Sequence, residues 1–128
     1  MNKYAATGIV LEAAAGKRFA IVVGKATLIQ EALDAFAEAS DAWDLGATVR
    51  RVNGDERVSL PGGGTIYLTT PRRGSRLGRI AVDVVFIDNE AHRTLESDDH
   101  DPRAYDRFRF DVALALNKTA GTGTVVHS

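Results

Sequence analysis

The 128 residues are the length of a single domain, taken as residues 1–128, and 45% hydrophobic with 26% charged side chains is an ordinary globular balance. Sixteen basic and 17 acidic residues leave a net charge of −1, which excludes a global basic field for nucleic acid, so that any such binding needs a local patch. Cysteine is absent, excluding disulfides and thiolate metal sites. With no apolar run near the roughly 18 residues of a spanning helix and no apolar core of a signal peptide at the start, a cytoplasmic protein without a membrane partner is expected.

Residues 3–15, KYAATGIVLEAAA, read as a helix, with Gly16 at the C-cap and Lys17 and Arg18 at its negative end. Residues 19–23, FAIVV, form a continuous apolar run ending at Gly24, the pattern of a strand buried on both faces. Thr27 is placed to cap a second helix, with Gln30 or Glu31 completing a capping box. In that helix Leu28 or Ile29, Ala32, Leu33, Phe36 and Ala37 make one apolar stripe, and Trp43 reads as a partly buried anchor at its end.

The middle changes character. TVRRV, ERVSL and TIYLT are short and partly alternating, and NGD and PGGG separate them, so residues 47–70 read as an antiparallel meander. PRRGSRLGRI, residues 71–80, is a basic loop containing glycine. AVDVVFIDNE, residues 81–90, is an apolar strand ending in acid. Residues 91–101 are polar, and Asp101-Pro102 marks a helix start. Tyr105, Phe108, Val112, Ala115 and Leu116 repeat at helical spacing, TAGTG breaks the helix, and TVVHS is a last short strand. Strands alternating with amphipathic helices predict an α/β fold: a mainly parallel sheet flanked by helices, with the meander inserted. In such sheets function sits beyond the carboxyl ends of the strands. Those ends carry Gly24-Lys25, Asp88-Asn89-Glu90 and His127-Ser128.

Three groups of side chains could carry chemistry. Asp88 and Glu90 read either as a magnesium ligand and a general base or as strand-end carboxylates that cap the next turn; Asp88 alone reads as a weak metal ligand. Arg72, Arg73, Arg76 and Arg79 put four guanidinium groups into eight residues. They read either as contacts to nucleic-acid or nucleotide phosphates or as a solvated loop paired with the chain's carboxylates. Glu96, Asp98, Asp99, His100 and Asp101 lie close together, but without the alternating ligands, central glycine and distal glutamate of a calcium loop. They read either as a hard-metal site, such as that of a nuclease, or as a polar lead into the Asp101 cap. His92 and His127 stand alone in sequence.

The segments EAAAGKRFAIVVGKATLIQEALDAF, LPGGGTIYLTTPRRGSRLGRIAVDVVFIDNEA and GTVVHS, in that order, resemble the P-loop ATPase domain of phage terminase large subunits and helicase-like ATPases over about residues 8–128. The resemblance begins after the family's phosphate loop. Lys3 and Tyr4 occupy about the place of that loop's Lys and Ser/Thr, so the chain starts too late to include it. No G-x-x-x-x-G-K-[ST] occurs in these residues. Asp88 matches the Walker B aspartate. Asn89 stands where the family carries its catalytic glutamate, and Glu90, one residue later, points to the opposite face of a strand.

The resemblance implies a degenerate, non-hydrolysing ATPase-like protein of phage type, residing in the host cytoplasm, with no cofactor. It would act by binding DNA through the arginine loop, or by binding a protein partner. The alternative is an ATPase or metal-dependent nuclease, with Mg2+ and ATP, using Asp88 and a partner-supplied or unconventional phosphate site. A third reading is an assembly factor or homo-oligomer pairing through an open edge on the first strand.

Overall fold

A computed structural model describes residues 3–71, 76–77, 79–88, 102–117 and 124–127. Arg72, Arg73, Asn89, Glu90, His92, the acidic residues 96–101 and the Asp101 cap lie outside the described residues, as do the side chains of Lys3, Tyr105 and His127.

In chain order the elements are α1 (Lys3–Ala14), β1 (Arg18–Val22), α2 (Ala26–Ala42), β2 (Thr48–Arg50), β3 (Arg57–Ser59), β4 (Thr65–Thr69), β5 (Val84–Ile87), α3 (Pro102–Asn117) and β6 (Thr124–His127). They build a six-stranded sheet in the order β2-β3-β4-β1-β5-β6. β4, β1, β5 and β6 are parallel, and β2, β3 and β4 form the antiparallel meander. The expected α/β class is what the chain adopts.

The apolar run of β1 is buried on both faces because β1 is central. Phe19, Ile21 and Val23 face one side, where α1 and α2 contribute Val10, Ile29, Leu33 and Phe36. Ala20 and Val22 face the other, where Leu77, Val82 and the α3 residues Phe108, Val112 and Ala115 cover them. Alternation along the strand thus feeds two separate cores from one segment.

α1 ends as its sequence predicts. Gly16 takes φ 105°, Lys17 N–H donates to Glu12 O at 3.2 Å and Gly16 N–H to Ala13 O at 2.9 Å. These are the two bonds of a Schellman cap. The turn before β4 packs directly beneath that helix end. A Cβ on Gly64 would collide with Ala13 O and Lys17 O, and one on Gly62 would lie 2.7 Å from Ala14 O.

Several expectations are corrected. Thr27 does not cap α2: Lys25 is the N-cap, in extended conformation and without a side-chain cap bond. The chain has already turned at Gly24-Lys25, so the helix begins before Thr27 and no capping box forms. The buried α2 face runs through Ile29, Ala32, Leu33 and Phe36 to Ala39 and Ser40, with Ala37 only half-buried. Trp43 is 57% exposed. The chain reverses at Asp44, with φ 52°, and Leu45 N–H donates to Ser40 O at 3.0 Å. Leu45 therefore packs on the core where Trp43 was expected. Finally, the first strand offers no edge: among the described residues the edges are β2 and β6.

Candidate functional site

The helices that follow two neighbouring strands cover opposite faces of the sheet. β1 is followed by α2, which covers one face of the sheet. β5 is followed by α3, which covers the other. By that topology the carboxyl ends of β1 and β5 form a switch point, the place where α/β sheets put their ligands.

Short backbone bonds hold that end of the sheet together. Asp88 N–H donates to Val22 O at 2.9 Å, extending the β5 ladder by one residue. On the other flank Val23 N–H donates to Thr69 O at 2.9 Å. Thr69 and Thr70 are buried. Asp88 is half-buried, while Lys25, at the N-cap of α2, is exposed. Among the described residues this end of the sheet thus carries the Asp88 carboxylate, the Lys25 ammonium and the amino end of α2, where partial positive charge gathers. Among the described residues no group of three or more His, Asp or Glu is placed to hold a metal ion.

Of the four arginines that the sequence grouped, the described ones, Arg76 and Arg79, have different surroundings. Arg76 is largely buried, its side chain 13% exposed. Its Nη1 donates to Leu68 O at 2.8 Å and its Nη2 to Asp55 Oδ1 at 3.3 Å. Glu56 Oε1 lies 3.7 Å from Nη1, and the guanidinium sits 5.6 Å from the centroid of the Tyr67 ring. Burial lowers the Arg76 pKa from the ordinary arginine value, and the neighbouring carboxylates of Asp55 and Glu56 partly offset that. An external phosphate would have to displace these partners. Arg79, by contrast, is exposed. Between them Leu77 is fully buried, and Ile80 N–H closes a turn onto Leu77 O at 3.4 Å. Arg76 and Leu77 are therefore anchored on the sheet.

Asp55 and Glu56 are the partners that sequence reasoning missed. They follow the Asn53-Gly54 turn between β2 and β3. Glu56 is 3% exposed and accepts from Gly54 N–H at 2.9 Å. Asp55 also accepts from Arg50 Nε at 2.6 Å. The turn signal marked this hairpin in the sequence. That its carboxylates meet Arg76 follows only from the β3–β4 register, Arg57 opposite Tyr67. Arg51, also unremarked in the sequence, ties β2 to α2 through Gln30 at 3.0 Å and Asp34 at 2.7 Å.

No protein-family model matches the chain, and no curated protein matches it. Among solved structures the fold is similar to that of a large terminase from a thermophilic bacteriophage, with TM-score 0.54 and 11% identity over 95% of this chain. The likeness covers 28% of that protein, so the chain spans less than a third of its length. At this identity the similarity is one of fold.

Proposed function

We propose that this chain is a binding module on a fold like that of a phage large terminase. It takes nucleic-acid phosphates with its arginine loop and does not hydrolyse nucleotide. The observation that carries this reading is the anchoring of Arg76 and Leu77 on the sheet beside an exposed Arg79. A cationic loop held on a rigid scaffold loses less entropy when it meets phosphates than a free one. Arg72, Arg73 and Arg79 are its contacts, and Arg76 is its fixing point. Asn89 directly after Asp88 supports a site without the catalytic acid of the resembled ATPases.

The test is fluorescence anisotropy of a labelled DNA duplex at several salt concentrations, beside an ATPase assay with magnesium. Salt-sensitive binding lost in an Arg72→Ala/Arg73→Ala/Arg79→Ala variant, without ATP turnover, is the expected result. Binding unchanged by the triple substitution would remove the arginine loop from the proposal. The binding could then be to a protein partner or a second copy.

One observation favours a second reading, an ATPase or metal-dependent nuclease using Asp88: Asp88 and Lys25 follow the carboxyl ends of the neighbouring strands β5 and β1. Its signature is Mg2+- or Mn2+-dependent turnover abolished by Asp88→Ala. Calorimetric titration with no heat from either ion or from ATP sinks that reading. Among the described residues no helix is long and apolar enough to cross a membrane, which fits a partner other than the bilayer interior.

A further inference from the structure

β6 pairs with β5 on one side, and among the described residues no strand lies on its other side. The β6 sequence, TVVH, has two adjacent β-branched valines and none of the lysine, proline or bulge devices that blunt an exposed edge. Beside this edge, on the α1 face of the sheet, lies an open trough of about 410 Å³. Its floor is Val84, Phe86 and Val126, its wall is Ala5, Gly8 and Ile9 of α1, and Phe19 with the Glu12–Lys17 ion pair completes the lining. On the opposite face of the same strand Val125 is 39% exposed.

Edge and trough are continuous through Val126, and together they define a chemistry. The outer backbone groups of β6 call for the backbone of another strand. The trough calls for an apolar side chain beside it. Residues two apart in a strand share a face, so a single extended segment with alternating apolar residues satisfies both. A second copy of the chain is the poorer occupant. Four strand residues make a seam of about 13 Å, short for the roughly 1,000 Å² that a stable pair of folded copies buries. A peptide strand needs only the ladder and one or two pockets.

We propose that the β6 edge and the adjoining trough accept an extended peptide segment in trans, paired along β6, with an apolar side chain seated between α1 and Phe86. Gly8 is part of the seat. A Cβ at Gly8 would meet nothing within 4 Å, so the space above it belongs to the trough.

The probe is a fluorescein-labelled peptide of lysine, three threonine–valine repeats and lysine, titrated by anisotropy and followed by amide hydrogen exchange. In the free protein the outward amides of residues 124–127 exchange rapidly, and the peptide slows them. N-methylation of alternate peptide amides along one edge abolishes binding, and along the other edge leaves it intact. Gly8→Leu fills the trough, weakens binding at least tenfold and does not lower the thermal midpoint. The inference is overturned if β6 amides are already protected in the free protein. Binding indifferent to N-methylation or to Gly8→Leu overturns it as well. A concentration-dependent dimer by light scattering whose formation protects the same amides gives the edge to a second copy instead. None of these readouts involves the arginine loop, so the failure of nucleic-acid binding and of this inference are separable.

Discussion

Arg76 donates to the main-chain oxygen of Leu68 at 2.8 Å from a segment eight residues further along the chain. Leu68 is the fourth residue of β4, and its own N–H donates to Glu56 O at 3.2 Å. One guanidinium therefore joins three pieces: the end of β4, the β2–β3 turn through Asp55 and Glu56, and the segment leading to β5. Such a fork needs arginine, because its donors lie in one plane with fixed spacing.

Arg76→Leu is expected to lower stability by about 3 kcal/mol, the scale of removing one member of a buried charge pair. Most of that loss comes from the buried Glu56 carboxylate, deprived of its nearby cation. Glu56→Gln in the same background should restore part of it, and Arg76→Lys should recover less than half. Urea unfolding of the four proteins checks this. Equal midpoints for wild type and Arg76→Leu would show that the network contributes nothing to folding.

Two glycines should respond in opposite directions to the same substitution. Gly8 lies inside α1 with open space above it, so Gly8→Ala should stabilise by about 0.8 kcal/mol through helix propensity alone. Gly64 lies under the α1 terminus, where a methyl group would strike the Ala13 and Lys17 carbonyl oxygens. Gly64→Ala should cost more than about 2 kcal/mol, on the scale of overpacking a close-packed interior. Thermal unfolding of both variants decides it, and a Gly64→Ala protein as stable as wild type would mean that α1 is not seated on this turn.

The parts of the fold legible in sequence are those set by local pattern. The apolar run at residues 19–23, Gly16 after α1 and the Asn53-Gly54 turn each carry a short-range signal, and β1, the Schellman cap and the meander follow from them. What depended on long-range register was not legible. Arg76 looks like its neighbours in sequence, and only the placement of Asp55 and Glu56 beside it makes it a structural residue. Trp43 looked like an anchor by size, yet the left-handed turn at Asp44 passes that role to Leu45. An open edge on the first strand follows from the missing phosphate-loop region only if the first strand is outermost, and strand order does not follow chain order. β4 and β5, both later in the chain, take the two sides of β1.

The different placements of Arg76 and Arg79 can be read from salt dependence. A side chain that neutralises one phosphate contributes about one to the slope of log K against log salt. Arg79→Ala should reduce that slope by about one and leave the unfolding midpoint within about 0.5 kcal/mol of wild type, as for an exposed position. Arg76→Lys keeps the charge and should leave the slope unchanged while lowering stability. A reversed pattern, with slope lost at Arg76 and not at Arg79, would mean that Arg76 leaves its internal partners to bind.

Asp88 allows a last measurement, on magnesium. A single carboxylate ligand holds a hard cation weakly, since magnesium keeps most of its waters and gains little from one ligand. With about 10 mM Mg2+ and a Kd of the same order, the stabilisation is roughly 0.4 kcal/mol. Asp88→Asn should remove it, with no other change in the dependence of stability on the ion. Asn89→Glu restores the acid that the resembled ATPases carry after this aspartate, and it should add no ATP turnover if no phosphate loop is supplied. Turnover appearing in that variant, and lost again when Asp88→Ala is combined with it, would show that the carboxyl ends of β1 and β5 already hold a nucleotide.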